Sequence, residues 1–222
     1  MPLATVIVFA KVLVPGTVKT RLAARLGCDA ATRLARAFLL DTWEALTPVA
    51  AARPVLALTG SGPLPRLVPT PEIWDQGSGD LGDRMERALH RATRGGTPAV
   101  VIGTDAPGRP PALLDAAIES LHAGTPAVLG PTTDGGYHLI GVARTVPGLL
   151  RRLPLGSHTT LATTRARLTR FGMAPRLLAP WYDVDEPEDV ARLAIDLRRG
   201  AIHAPHTARA LHSLGLTRPV EP

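Results

Sequence analysis

Short apolar runs alternate along this chain with longer amphipathic stretches, and this alternation constrains the fold more than any other feature. Residues 5–9, 54–59 and 99–103 are strand-length apolar runs without regular polar alternation, which is typical of strands buried on both faces. Residues 31–46 instead place apolar side chains at helical spacing. Strands that alternate with helices form a mostly parallel sheet covered by helices on both sides. The sequence therefore predicts an α/β fold.

The composition is that of a globular protein. Of the 222 residues, 45% are hydrophobic and 20% are charged, which excludes global disorder. This length predicts a single domain over residues 1–200 and a helical tail over residues 201–222. No apolar run reaches the roughly 18 residues that span a bilayer, and no basic segment precedes the first apolar run. We therefore expect a cytoplasmic protein without a membrane partner. The single cysteine, Cys28, excludes an internal disulfide framework and a cysteine-based zinc site.

The net charge of +6 fits an anionic ligand such as a nucleotide, although simple solubility also explains it. Aromatic residues make up only 4%, too few for base-stacking platforms, so no nucleic-acid partner is expected. The chain has only two lysines, Lys11 and Lys19. Both lie near the end of the first predicted strand, where a lysine point charge differs in effect from an arginine fork.

Ligands of parallel α/β sheets bind beyond the carboxyl ends of the strands, so the residues after each strand are the informative ones. The first strand is followed by Lys11, a Pro15-Gly16 turn, Lys19 and Arg21. Such a loop before a helix can offer cations and backbone N–H groups to a polyphosphate. A solvated basic loop is the alternative, since the glycine spacing of a Walker A motif is missing.

Acidic residues follow two other predicted elements. Asp105 comes directly after the strand at residues 99–103 and is suited to bind Mg²⁺, although it could instead cap the following helix. Asp183 and Asp185 alternate on an extended segment and therefore point the same way. Because like charges held close together favour a cation between them, the sequence predicts a divalent metal here.

The segment Asp134-Gly135-Gly136-Tyr137 contains a turn with two glycines. Glycines allow a ligand to approach the backbone closely, and Asp134 could accept hydrogen bonds from the hydroxyl groups of a sugar or another acceptor. A plain hairpin turn is the alternative, because Asp-Gly is one of its commonest signatures.

Taken in order, these motifs resemble a known family. The chain contains FAKVLVPGTVKTRL, AFLLDTWEAL, QGSGDLGDRM, VVIGTDAP, GPTTDGGYHLIG and DVDEPEDV. Over residues 5–198 it resembles the DUF2064 family of the nucleotide-diphospho-sugar transferase (GT-A) superfamily, whose frame is also similar to phospholactate and molybdenum cofactor guanylyltransferases. The resemblance implies a GT-A three-layer sandwich with a mostly parallel central sheet.

The resemblance also implies a site. Lys11, Lys19 and Arg21 would face the phosphates, Asp105 would be the first ligand of Mg²⁺ or Mn²⁺, and Asp183 or Asp185 the second. Lys19, Asp105 and Asp185 are the expected catalytic residues. The expected nucleotide contacts are Ala10, Lys11, Gly16, Lys19, Arg21, Gln76, Gly77, Asp80, Leu81 and Thr104. The expected acceptor side is Asp134, Gly135, Gly136 and Tyr137.

Three functions stay open from the sequence. The first is a nucleotidyltransferase that couples a nucleoside triphosphate to a small phosphorylated acceptor and releases pyrophosphate. The basic loop favours it, as does Pro107, which stands where many glycosyltransferases of this fold carry the second acid of Asp-x-Asp. The second is a glycosyltransferase that uses a nucleotide sugar, and the third is a non-catalytic nucleotide binder. The expected partners are the nucleotide and a small acceptor, and a homodimer is left open.

Overall fold

The computed structural model describes residues 3–47, 49 and 51–217. Seven strands form one sheet in the order β3-β2-β1-β4-β6-β5-β7. All pairings are parallel except those that β6 makes with β4 and β5. The strands are β1 (Ala4–Lys11), β2 (Ala52–Thr59), β3 (Glu72–Asp75), β4 (Ala99–Gly103), β5 (Ala127–Pro131), β6 (Tyr137–Val142) and β7 (Pro175–Leu177).

Helices cover both faces of the sheet. They are α1 (Thr20–Leu26), α2 (Cys28–Glu44), α3 (Leu81–Thr93), α4 (Pro111–His122), α5 (Thr160–Arg170), α6 (Pro187–Arg198) and α7 (Pro205–Ser213). One core lies between the sheet and helices α2 and α4, and a second lies between the sheet and helices α3 and α5. This arrangement confirms the predicted three-layer α/β sandwich with a mostly parallel sheet.

Strand β1 shows why the first apolar run lacks alternation. Val6 and Val8 point into the core under α2 and α4, whereas Ile7 points into the core under α3 and α5. All three side chains are fully buried. A strand with helices on both faces must be apolar at every position, and this requirement places β1 near the middle of the sheet.

A third core joins α1, α2, α6 and α7 beside the sheet. Here Asp41 of α2 accepts hydrogen bonds from the backbone N–H groups of His206 and Thr207, at 2.9 and 2.8 Å. A carboxylate at that position satisfies otherwise unpaired donors of a helix N-terminus. Helix α7 of the expected tail is thereby attached to α2. Of the predicted tail, residues 218–222 lie outside the described residues, as do residues 1, 2, 48 and 50 of the predicted domain.

The antiparallel strand β6 is the one break in the parallel sheet. Residues 132–136 form a tight connection between β5 and β6, which pair antiparallel. This connection is too short for the crossover that parallel strands need. The hairpin interpretation of the Asp-Gly-Gly segment is therefore confirmed. Within the described part of the chain, no helix is both long and apolar enough to cross a membrane.

Candidate active site at the carboxyl edge of the sheet

A cavity of about 600 Å³ opens at the carboxyl ends of the parallel strands. Strands β1, β2 and β4 end at it, and β6, which runs the other way, begins there. Most of the residues predicted for the site line its wall: Ala10, Lys11, Lys19, Arg21, Gln76, Leu81, Thr104, Asp105, Asp134, Gly136, Tyr137, Asp183 and Asp185. The fold thus gathers side chains from five separate sequence motifs around one space.

Backbone hydrogen bonds hold the Asp183–Asp185 segment in place. The N–H of Trp181 donates to the carbonyl of Pro131 at the end of β5, at 2.9 Å. The N–H of Val184 donates to the carbonyl of Asp105 just beyond β4, at 2.8 Å. The segment therefore runs across the ends of two strands. Because Val184 is fully buried, the residues on either side of it turn toward the cavity.

Lys19 is the cation at the centre of these acids. Its Nζ lies 2.5 Å from Oδ1 of Asp105 and 2.9 Å from Oδ1 of Asp185, and it donates to the carbonyl of Val184 at 2.8 Å. The Lys19 side chain is only 5% exposed. One ammonium group therefore joins the loop after β1, the end of β4 and the segment before α6.

The backbone of Lys19 is strained. Its φ of 46° lies in the left-handed region, which non-glycine residues adopt at a cost on the order of 1–3 kcal/mol when the surrounding structure imposes it. Lys19 is the residue immediately before α1, and its carbonyl accepts the N–H of Ala23 at 2.8 Å. The start of the helix thus fixes the base of the side chain and directs it into the acid cluster.

The electrostatics of Lys19 follow from its partners. Burial lowers the pKa of the ammonium group, but the attraction of Asp105 and Asp185 outweighs burial and leaves the pKa above its ordinary value. The ammonium group also lies 5.4 Å from the centre of the Phe38 ring, close enough for a cation–π interaction. Lys19 is therefore charged in the folded protein at any physiological pH.

The raised pKa of Asp183 shows that the group is buried and that negative charge exceeds positive charge around it. Burial first, and then the carboxylates of Asp105, Asp185 and Asp134, raise the pKa of its carboxyl group to about 7, against a lowering by Lys19. No hydrogen bond to the Asp183 carboxyl group occurs among the described residues. A set of carboxylate oxygens with too little positive charge around it is the kind of donor set that Mg²⁺ and Mn²⁺ bind. The chemistry of this donor set fits the predicted metal, but with Lys19 bound between them no three of these carboxylates bring one oxygen each within 4.8 Å of one another.

The turn after β5 holds Asp134 and explains its two glycines. Asp134 Oδ1 accepts hydrogen bonds from Thr132 Oγ1 at 2.5 Å and from the N–H of Gly136 at 2.9 Å. Gly135 has a φ of 90°, and a Cβ atom there would come within 2.2 Å of the carbonyl oxygen of His158. It is therefore the loop before α5, and not a ligand, that approaches the backbone of Gly135 closely enough to require a glycine. Gly135 itself lies off the cavity wall.

The residues near β3 serve mainly to build the wall. Buried Gln76 donates from Nε2 to the carbonyls of Ala10 and Ala57, at 3.0 and 2.9 Å, and its Oε1 accepts from Arg84. Asp80 accepts the N–H of Asp83 and so caps α3.

Four further residues predicted for the site, two glycines and two cations, differ in whether they line the cavity. Gly77 packs against the guanidinium of Arg87, and Gly16 occupies a turn with a φ of 80°. Neither glycine lines the cavity, and Asp80 does not either. Arg21 lies on the wall, where it is paired with Glu186 at 3.3 Å, whereas Lys11 is exposed and has no ion pair among the described residues.

Three wall or near-wall residues were missed from the sequence. Arg84 lines the cavity, and only its place in GDLGDRM could have suggested it. His138 also lines the cavity, and both of its ring nitrogens are buried without a partner in the described structure. Burial, and then Arg109, lowers the pKa of His138 to about 3, so its ring is neutral.

Arg109 is the third missed residue. Burial lowers its pKa to about 10, against a raising by Asp183, and its Nη1 has no partner in the described structure. Arg109 thus places a second positive charge near Asp183, without a direct ion pair. His138 belongs to the motif GPTTDGGYHLIG, but nothing in the motif shows that its ring is buried, and Arg109 belongs to none of the quoted motifs.

A separate group of Asp41, Glu44 and His206 brings three metal-type ligands together. Both oxygens of Asp41 are engaged by the first N–H groups of α7, and His206 Nε2 lies 2.9 Å from Glu44. Helix capping and one ion pair account for this group, which lies away from the cavity.

Comparison with known families gives a match over residues 42–157 to DUF2064, described as an uncharacterized protein conserved in bacteria. The chain belongs to this family. The DUF2064 match includes Asp105 and Asp134 but ends before Asp183 and begins after Lys19. Among curated proteins no match was found.

Solved structures extend the likeness of this DUF2064 protein to its full length. A protein of Desulfovibrio desulfuricans G20, provisionally assigned as a nucleotide-diphospho-sugar transferase, is 28% identical, with a TM-score of 0.86 and coverage of 100% of both chains. The 2-C-methyl-D-erythritol 4-phosphate cytidylyltransferase of Thermus thermophilus is 17% identical, with a TM-score of 0.50 over 90% of this chain and 100% of that one. A CMP:2-keto-3-deoxy-manno-octonic acid synthetase complexed with CTP is 10% identical, with a TM-score of 0.51 over 89% and 99%. The last two show a shared fold.

Proposed function

We propose that this protein is a Mg²⁺- or Mn²⁺-dependent nucleotidyltransferase that couples a nucleoside triphosphate to a small phosphorylated acceptor and releases pyrophosphate. One observation carries the proposal: Asp105 and Asp185 bind Lys19 at the carboxyl edge of the sheet, and Asp183 and Asp134 line the same cavity beside them. Related folds among cytidylyltransferases, one of them complexed with CTP, support a nucleotide at this edge.

Asp105, Asp183 and Asp185 are the residues that would hold the metal. A divalent cation there supplies Lewis-acid stabilisation of charge on phosphoryl oxygens. The chain contributes the rest through position and charge. The backbone hydrogen bond from the N–H of Val184 to the carbonyl of Asp105 sets the distance between the segments that carry Asp105 and Asp185. Such preorganisation avoids rearrangement at the moment of reaction.

Cations on the wall would bind the triphosphate. Lys11 at the end of β1 and Arg84 in α3 line the cavity together with Lys19 and Arg21. The acceptor's phosphate oxygen would attack the α-phosphorus, and the bond to the bridging oxygen would break as pyrophosphate leaves. Positive side chains near that leaving group neutralise the charge that accumulates on it. Among the described residues Lys11 and Arg84 have no ion pair to lose, and Lys11 is the more exposed of the two.

A glycosyltransferase is the second candidate. It is favoured by the full-length likeness to the Desulfovibrio protein, provisionally assigned as a nucleotide-diphospho-sugar transferase. Under this alternative the same carboxylates and metal would stabilise a leaving nucleoside diphosphate, and Asp134 would lie next to the sugar or the acceptor. The third candidate, a non-catalytic nucleotide binder, would show binding without turnover.

The experiment compares products. The protein is incubated with Mg²⁺, each of the four nucleoside triphosphates and a panel of sugar 1-phosphates and phosphorylated hydroxy acids, and pyrophosphate is measured. Parallel reactions contain UDP-glucose or GDP-mannose with the same acceptors lacking their phosphate, and nucleoside diphosphate is measured. We expect pyrophosphate release that requires both the acceptor and the metal. Nucleoside diphosphate release alone would establish the glycosyltransferase instead.

Asp105→Asn provides the matched test of the site. Because this change removes a metal ligand and keeps the side-chain size, we expect activity to be lost while the thermal midpoint stays near the wild-type value. Asp115→Asn is the control, since Asp115 is an exposed carboxylate on α4 and lies off the cavity. Full activity of Asp105→Asn would refute the assigned role of Asp105.

A further inference from the structure

Lys19 and the predicted metal compete for the same oxygens. Its ammonium group already binds Oδ1 of Asp105 and Oδ1 of Asp185. These are two of the three residues that would hold the metal. Even if a divalent cation used the Oδ2 atoms of these two carboxylates, it would lie close to the Lys19 ammonium group, and two cations at that distance repel each other strongly at low local dielectric. Metal binding therefore requires the ammonium group of Lys19 to move.

The side chain of Lys19 is built for such a movement, whereas its backbone is not. The left-handed conformation at residue 19 and the hydrogen bond from Ala23 fix the Cα atom at the start of α1. Beyond Cα, four methylene groups carry a point charge that can rotate freely. The cavity of about 600 Å³ begins beside the ammonium group, so the side chain has space to turn toward a bound phosphate.

We propose that Lys19 is the internal counter-ion of the metal-free site and that it exchanges Asp105 and Asp185 for the nucleotide's phosphates when a divalent cation binds. This inference rests on the proposed function. It makes Lys19 a positioning residue in the metal-free protein and a phosphate contact in the loaded one. As a consequence, Lys19 opposes metal binding in the absence of nucleotide and makes the binding of metal and nucleotide cooperative.

The first test measures metal affinity without nucleotide. Lys19→Met keeps the apolar stem against Phe38 and removes the charge. We expect Mn²⁺, followed by calorimetry, to bind Lys19→Met at least about tenfold more tightly than wild type, a difference of about 1.4 kcal/mol. Arg25→Ala is the control. It also removes one positive charge, from an exposed position in α1, and we expect its Mn²⁺ affinity to stay within about twofold of wild type.

The second test uses the unaltered protein, so it does not depend on Lys19→Met folding. Because the chain has only two lysines, protein labelled with ¹⁵N-lysine gives two ammonium signals, which Lys11→Arg assigns. We expect the Lys19 signal to move on titration with Mg²⁺ alone and to move again when a nucleoside triphosphate is added. The signal of exposed Lys11 is expected to stay in place with Mg²⁺ alone.

The outcomes separate the inference from the proposed function. If wild type binds Mn²⁺ and Lys19→Met binds it equally or less well, the exchange is refuted while the metal-dependent function stands. A Lys19 signal that stays in place under saturating Mg²⁺ leads to the same conclusion. If neither wild type nor Lys19→Met binds Mn²⁺, even with a nucleoside triphosphate present, both the exchange and the metal-dependent function are wrong.

Discussion

Asp183 and His138 line one cavity but should give the metal-free protein opposite pH dependences. The pKa of Asp183 is raised from 3.8 to about 7, so the folded protein binds this proton more tightly than the unfolded chain does. Its contribution to stability is therefore present at low pH and is lost as pH rises through 7. The pKa of His138 is lowered from 6.5 to about 3. Its contribution is present above pH 6.5 and is lost as pH falls toward 3.

The size of each effect follows from linkage. Between roughly pH 8 and pH 5, a carboxyl group whose pKa moves from 3.8 to about 7 gains about 2–3 kcal/mol of stability on acidification. Over the same range, a histidine whose pKa moves from 6.5 to about 3 loses about 2 kcal/mol. The two contributions nearly cancel. From these two contributions, the wild-type free energy of unfolding should change little between these pH values.

Two nearly isosteric variants separate the pH-dependent contributions of Asp183 and His138, which nearly cancel in the wild type. Asp183→Asn removes the first, so its stability should fall on acidification by about 2 kcal/mol relative to wild type. His138→Phe removes the second and keeps the ring, so its stability should rise on acidification. At about pH 8 we also expect Asp183→Asn to be more stable than wild type, because the buried charge and its repulsion by Asp105 and Asp185 are gone. Urea unfolding in EDTA at several pH values measures all three. Parallel pH profiles for the three proteins would refute the reasoning.

Three further predictions follow from contacts in the site. Gly135→Ala should lower the free energy of unfolding, measured in urea, by about 2–4 kcal/mol, because a Cβ atom would meet the His158 carbonyl at 2.2 Å. Gly148→Ala is the control: its φ of 83° is similar and nothing lies within 4 Å of its Cβ position. This control should cost only the backbone strain, roughly 1–2 kcal/mol. Gln76→Leu should cost about 1–3 kcal/mol by the same assay, since two buried carbonyls lose their donor; unchanged stability would mean that water replaces the amide. Lys11→Ala should weaken nucleoside triphosphate binding in calorimetry by about three- to tenfold without changing stability, and equal affinity would place Lys11 outside the phosphate site.

The sequence was most informative about residues whose position follows from the order of the strands and helices. Asp105 and Asp183 are distant along the chain, yet both follow or cross strand ends. The carboxyl ends of parallel strands meet at one edge of a sheet, and the rule that ligands bind there identifies the residues after each strand as candidates. The family resemblance then assigns Asp105 and either Asp183 or Asp185 to one metal. The fold class could be predicted for a related reason. A run such as that in β1 is apolar at every position only because both faces are covered.

Other features could not be read from the sequence because they depend on distances between side chains. Lys19 was expected to face phosphates, and nothing in its spacing shows that its ammonium group binds Asp105 and Asp185. The same holds for His138 and Arg109. Each is a single polar residue in an ordinary segment, and only packing in three dimensions reveals that it is buried. Gly135 needed a specific neighbour, the His158 carbonyl, which lies 23 positions along the chain.

The charge balance explains why this cavity should bind a divalent cation. The four clustered carboxylates carry four negative charges when ionised, and Lys19 and Arg109 are the cations that act on members of this cluster. Lys11, Arg21 and Arg84 also line the cavity, so the difference in charge is confined to the surroundings of Asp183. The metal-free protein has to relieve that difference in another way, and protonation of Asp183 near neutral pH is the way open to it. Lys19 cannot supply more, because a single ammonium group already binds both Asp105 and Asp185. In the proposed mechanism this local excess of negative charge attracts a divalent cation, and Lys19, once released, presents a positive side chain to the phosphates beside it.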